Sequence, residues 1–234
     1  MKIFNKSIKI KATVAILLLL IVLIIITGIW FSNSPEAKTG AILGSLVAGL
    51  FVALIQFLIA WQDYSQTEKL KELELIEVLY NRDNRTFYEN YIKKAKRKIS
   101  MMGVTANRFF KDFADDSPNA TSNAKVLISA LERNVNVEIL LPNKSYLDEN
   151  KVNDFDTVKG QAEILSRKFA GKLTVKYFEH VPAHSIFRVD DECIVGPVFP
   201  ELESKYTPAL HLRNSSPIAD KYLKYFENEW KNTK

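Results

Sequence analysis

His184–Pro197, HSIFRVDDECIVGP, reads as two short apolar-rich strands folded about an acidic turn at Asp190, Asp191 and Glu192. Alternate residues of a strand share a face, so His184, Ile186, Arg188 and Asp190 point one way and Ser185, Phe187 and Val189 the other. The hairpin comes late in a run of alternating elements. Upstream, NRTFYENYIKKAKRK begins at an Asn that can cap a helix and leads into the strand ISMMGV. The helix SNAKVLISALERN leads into VNVEILLP, and TVKGQAEILSRKFAG, with Gly171 as its C-cap, leads into KLTVKYF. Downstream, PALHLR reads as a last strand, and SPIADKYLKYFENEWKN as a closing helix that buries Ile218, Tyr222, Tyr225, Phe226 and Trp230. This alternation predicts parallel strands first and antiparallel additions after. The result is an α/β domain over residues 84–234, with a mixed sheet and helices on both faces.

The first quarter of the chain is of another kind. Thr13–Phe31 and Gly40–Trp61 carry no charged residue, and each is about 20 residues long. At ~1.5 Å per residue that length matches the ~30 Å hydrocarbon core of a bilayer, so two transmembrane helices are expected. The basic start of the chain also suits a signal peptide. The first run exceeds the ~7–15 residues of a signal's apolar segment, however, and a second span follows at once. Lys2, Lys6, Lys9 and Lys11 lie in residues 1–12 without an acid, whereas the short external loop 32–39 holds Glu36 and Lys38. The positive-inside bias then puts both termini in the cytosol. Gly40, Gly44, Ser45 and Gly49 give the second span small residues at helical spacing, and Gln56 could hydrogen-bond across a helix interface. Two uses remain open: self-association, up to a pore, or packing of one span on the other. Trp61 and Tyr64 suit the membrane interface. Leu70, Leu73, Ile76 and Tyr80 then recur at spacings of three and four, which predicts a helical stalk over residues 62–83.

Composition excludes several classes. Five of the 32 basic residues and one of the 27 acidic residues precede Gln62, so the remainder carries a net charge of only +1. That is not the balance of a strongly basic nucleic-acid-binding domain. KKAKRK, Lys93–Lys98, reads as a solvated helix end whose cations suit the helix dipole, in preference to a lipid or nucleic-acid patch. Cys193 is the single cysteine, so disulfide frameworks and clustered-cysteine metal sites are ruled out. No metal site or cofactor is expected.

The order of elements, with the hairpin late in the domain, resembles one half of the phospholipase D-like fold, over about residues 84–232. Members of that superfamily carry an H-x-K-x4-D signature on the equivalent hairpin, followed closely by a glycine. Here the spacing gives His184, Ile186 and Asp191, with Gly196 beyond. The resemblance implies a histidine that attacks phosphorus, a second from another copy of the motif that protonates the leaving group, and a lysine that stabilises the phosphoryl oxygens. One copy is present, so such a site would need a homodimer. The lysine position holds Ile186, which offers neither charge nor donor, and loss of one preorganised donor costs ~10²–10³ in rate. Arg188 shares the face of His184 but stands ~13 Å along the strand, an imperfect substitute. The acid is ambiguous, since motif spacing selects Asp191 and the acidic turn selects Asp190.

The candidate catalytic residues are therefore His184 and Asp191. Candidate ligand contacts are Arg188, His211 of PALHLR, and Asn107 and Arg108, which follow the first strand at the end where open α/β sheets bind ligands. Two functional readings follow. In one, a domain without catalysis controls the membrane helices in response to a protein or nucleotide trigger. Its layout is similar to that of two-span effectors of bacterial antiphage systems, which damage the inner membrane, and the chain is expected to work as a homo-oligomer in the lipid bilayer. In the other, the chain is a membrane-tethered homodimeric phosphodiesterase that uses His184.

Overall fold

The structure, a computed structural model, describes residues 2–32 and 38–233. Residues 33–37 of the expected external loop, and the side chains of the N-terminal lysines, lie outside the described residues. The chain divides into two compact units, Met1–Leu70 and Lys71–Lys234.

In the first unit, α1 (Lys2–Phe31) and α2 (Lys38–Glu72) contain apolar stretches Val14–Phe31 and Gly40–Tyr64, each long enough to cross a bilayer. No residue of Val14–Phe31 is buried by protein, so these side chains need a solvent other than water. The two helices meet near the indole of Trp30: a Cβ on Gly44 would stand 3.3 Å from its Nε1. Gly40 is buried and Gly44 half-buried, whereas Ser45, Gly49 and Gln56 are exposed, with nothing within 4 Å of a Cβ on Gly49.

The second unit is a seven-stranded sheet in the order β1-β7-β6-β5-β2-β3-β4. Its strands are β1 (Leu75–Leu79), β2 (Lys98–Met102), β3 (Asn136–Pro142), β4 (Leu173–Phe178), β5 (His184–Val189), β6 (Glu192–Pro197) and β7 (Ala209–Arg213). β2, β3 and β4 are parallel, and β5, β6, β7 and β1 extend the sheet antiparallel from β2. Both faces are buried, so neighbouring residues of one strand enter different cores. Ile139 packs beneath α3 (Arg85–Lys93), α4 (Asn107–Phe113), α5 (Val126–Glu132) and α6 (Glu149–Lys168). Leu140, next in the chain, packs toward α7 (Pro217–Asn232), which brings Leu223 and Phe226 to that side. Asn84 caps α3 by accepting from the Phe87 N–H at 3.0 Å, and Ser216 caps α7. The expected mixed sheet with helices on both faces is thus the fold this chain forms.

Three elements differ from the sequence reading. The stalk helix ends at Glu72, and Leu75–Leu79 is instead the edge strand β1, antiparallel to β7. The apolar spacing of three and four does not mark a buried helix face there: Leu70, Ile76 and Tyr80 are all exposed. α6 begins at Glu149, eight residues before Thr157, and the short α4 was not anticipated. Gly171, at φ +78°, makes the reversal two residues beyond the true C-cap, Phe169.

The hairpin is fastened to the sheet by Asp190. Its carboxylate accepts from three successive backbone amides, Lys96 at 2.8 Å, Arg97 at 2.9 Å and Lys98 at 2.9 Å. The KKAKRK segment is therefore the dock for the acidic turn. The turn itself needs a left-handed residue, and Asp190 has φ +50°. Partial burial pushes its carboxyl up, but the three amides and Arg97 outweigh that and hold it below the ordinary 3.8. A depressed folded value means that the latch stabilises fully above the unfolded pKa and weakens as pH falls through the folded one. Asp190→Asn keeps a residue tolerant of positive φ and loses the charge. We expect it to cost about 1–3 kcal/mol in denaturant unfolding at neutral pH. Its stability should also fall less steeply than wild type as pH drops below about 4.

Candidate functional site

The sequence candidates do not converge. His184 opens β5 on the α7 side of the sheet, with the rings of Tyr222 and Tyr225 edge-on at 5.3 Å each. Its Nδ1 is buried without a hydrogen-bond partner. Ile186, on the same face, is fully buried in the core beneath α7. Arg188 also shares that face, but its Nε donates to the Asp190 carbonyl at 3.1 Å, so it braces the turn. Asp191 lies on the turn with its side chain 83% exposed and paired with Arg97 at 2.6 Å. His211, proposed as a second pocket histidine, lies on the opposite face of the sheet. It pairs in register with Ile194, stands 3.1 Å from the Glu192 carboxylate and is enclosed by Phe87 and Tyr91. Cys193 is buried, and burial pushes its thiol up to about 12. Among the described residues no group of three His, Cys, Asp or Glu could hold a metal ion.

The concave site lies elsewhere. A cleft of about 440 Å³ opens where the carboxyl end of β2 meets the amino end of β5, the end of the sheet expected to bind ligands. Asn107 and Arg108 line it, together with Ser185 and Phe187 from the second face of the hairpin. Arg108 is already engaged: Nη2 stands 2.7 Å from Asp83, Nε 3.3 Å from Asp112, and Nη1 donates to the Arg82 carbonyl at 3.2 Å.

Sequence reasoning missed Arg82, which also lines this cleft. It is 8% exposed, and its guanidinium donates to the Ser204 carbonyl at 2.9 Å, to Ser185 Oγ at 2.6 Å and to Thr207 Oγ1. Burial lowers its pKa, against a smaller opposing effect of Tyr88. The phenol of Tyr88 is pushed up to about 12 by burial, partly opposed by Arg82 and Arg108, so it stays a neutral donor. No sequence signal marked Arg82, because YNRDNR resembles any polar connector.

The latch also changes how the hairpin aligns with H-x-K-x4-D. Asp190, not Asp191, is the acid held by the backbone. Counting back by the signature's spacing from Asp190 gives Ser185 in place of the lysine and Ala183 in place of the histidine. Ser185 does receive a cation, from Arg82, through its hydroxyl. Gly196 is required by a close approach, since a Cβ there would stand 2.6 Å from the Pro208 carbonyl just before β7.

No family model and no curated protein matches the chain. Among solved structures, the chain is similar to TrmBL2, an archaeal chromatin protein with a novel mode of DNA binding. The identity is 16% and the TM-score 0.44, covering 83% of this chain and 70% of that one. It is also similar to Nuc, a phospholipase D family member from Salmonella typhimurium, at 15% identity and TM-score 0.42, covering 68% and 95%. Phosphatidylserine synthase of Haemophilus influenzae matches at 13% identity and TM-score 0.43, covering 68% of this chain and 39% of its own.

Proposed function

We propose that this protein is a membrane sensor or effector in which a phospholipase D-like α/β unit, without catalysis, governs a two-helix membrane module. One observation carries the reading. Of the hairpin, Ser185, Ile186, Phe187 and Ile194 line the cleft, whereas His184 does not and instead meets Tyr222 and Tyr225 edge-on. A family mechanism needs a histidine and a cation together at the scissile phosphate; here Arg82 and Arg85 line the cleft with no histidine beside them, and Arg188, on the face of His184, is held to the turn. The phosphodiesterase reading would require His184 of two subunits to meet across an interface that the tyrosines of α7 occupy. In our reading the module acts in the bacterial inner membrane with both termini cytosolic, and its role is defence against phage by loss of membrane integrity.

The exposed small face of α2 suits assembly of several copies. Gly44 is committed to Trp30 within one chain, but Gly49, Ser45 and Gln56 are exposed. Close approach of helix backbones in lipid needs such small residues, and a polar amide there finds its partner on a neighbouring helix.

Purified full-length protein is expected to turn over no phospholipid, DNA or RNA diester, with or without divalent metal, and His184→Ala should match wild type. Turnover that disappears in His184→Ala would sink the non-catalytic reading. In bacteria producing the protein and infected with phage, a voltage-sensitive dye is expected to report depolarisation. Gly49→Leu, at a position where an added Cβ would meet nothing within 4 Å, should abolish that signal while leaving the protein in the membrane. An unchanged membrane potential throughout would count against the effector role.

A further inference from the structure

Arg82 poses a charge problem that the fold leaves open. A buried guanidinium is normally paired with a carboxylate, because taking a charge out of water costs several kcal/mol. Every acceptor of the Arg82 side chain is neutral: one carbonyl and two hydroxyls. Among the described residues no carboxylate forms an ion pair with it. Arg85, on the wall of the same cleft, donates to the Asp112 carbonyl at 3.1 Å and is likewise without a carboxylate partner among the described residues. The neighbouring cations are already neutralised: Arg108 by Asp83 and Asp112, Lys151 by Asp148 at 2.9 Å, Lys205 by Glu203 at 3.0 Å. Asp154 also lines the cleft, but it is exposed to solvent on α6.

Donors outnumber acceptors at this spot. A guanidinium has five N–H groups and Arg82 uses three, which leaves two. Arg85 adds its own fork, Ser185 a hydroxyl proton and Tyr88 a neutral phenol. A planar carboxylate offers two oxygens; a terminal phosphoryl group offers three, around which donors from several directions can converge. Two uncompensated guanidiniums also match a phosphomonoester, which carries about −1.5 to −2 charges at neutral pH. The cleft is too large for the anion alone. Its volume of about 440 Å³ lies within the ~300–1,000 Å³ of small-molecule sites. Phe109, Phe113 and Phe187 supply an apolar wall beside the arginines.

We propose that this cleft is the receptor site for an organic phosphomonoester, its phosphoryl oxygens held by Arg82 and Arg85 and its body resting on Phe109, Phe113 and Phe187. The proposal rests on the non-catalytic reading, in that the ligand is retained and not cleaved. The same chemistry is offered by a soluble nucleotide or by a phosphatidic acid headgroup.

The test is calorimetry on the full-length protein in phosphatidylcholine nanodiscs, titrated in turn with adenosine 5′-monophosphate, short-chain dihexanoyl phosphatidic acid and inorganic phosphate. One of the two organic phosphates is expected to bind at least tenfold more tightly than inorganic phosphate. Saturation by the nucleotide assigns a soluble ligand, and saturation by the lipid analogue assigns a headgroup. Arg85→Gln, at an exposed position outside the core, should weaken that binding tenfold or more. Arg82→Lys, which keeps the charge but loses the fork, should abolish it. Absence of saturable heat with all three titrants, equal affinity for inorganic phosphate, or an Arg85→Gln variant that binds like wild type would overturn the site. Phosphorus NMR of the same samples separates the two claims: release of free phosphate would overturn the non-catalytic reading even where binding is found.

Discussion

A single carboxylate sets the geometry of the α/β unit. Asp190 gathers three successive amides at the start of β2 and so fixes the hairpin against the strand where the parallel and antiparallel halves of the sheet meet. The turn is further tied by Asn214, whose side chain donates to the Asp190 carbonyl at 2.7 Å. With the turn held there, Val189 lies opposite Ile99 and Ile186 opposite Met102, and each residue of β5 has its face assigned. Strand side chains alternate, so a frame shifted by one residue exchanges every one of them between faces. Asp190 and Asp191 differ by that one residue. Choosing between them decides whether a histidine or a serine meets the cleft, and the backbone amides choose the frame with serine.

Much of this sheet was legible beforehand. β2 to β7 follow from short apolar runs bounded by turn residues, and α7 from an amphipathic stripe begun by Ser-Pro, because those patterns have a physical cause in double-sided burial. β1 was not legible, since an edge strand with Ile76, Glu77 and Val78 all exposed carries no period-two signal, and its leucines fit a helix equally well. The amino half of α6 was hidden for a similar reason: ENKVNDFD offers few apolar residues, with Phe155 its one buried residue. At the site, Asn107 and Arg108 could be placed because they follow a strand in an open sheet. His184 and His211 could not be separated, because which face each occupies depends on register and register is a tertiary property.

In the first unit the small residues of α2 divide into two sets that sequence spacing treats as one. Gly40 and Gly44 are covered, and Trp30 fills the space a side chain at Gly44 would take. Ser45 and Gly49 lie toward the exposed side, where the Ser45 hydroxyl is satisfied by the Ala41 carbonyl at 3.0 Å and so adds no unmet polar group. A helix in lipid gains nothing from hydrophobicity at a helix contact and gains from close backbone approach. The two uses of small residues that the sequence left as alternatives are therefore compatible, one on each side of the same helix.

Arg82 connects these observations through the chain itself. β1 follows α2 after two residues, and Arg82 follows β1 after two more, so the buried cation belongs to the segment that joins an apolar helix to the sheet. β1 is an edge strand, paired on one side only and with a register shift between Leu75 and Glu77. Edge strands with irregular pairing are among the less firmly held parts of a sheet. The guanidinium fastens this segment to Ser185 of β5 and to Thr207 just before β7, using hydroxyls in place of a counter-ion. An anion that completes Arg82 would strengthen that fastening by the difference in its affinity for the fastened and released states. Such a difference is all the free energy a ligand can deliver to a conformational equilibrium. If the cleft holds an anion as proposed, its binding would act on the connector between β1 and α3, the segment that follows the apolar helix in the chain.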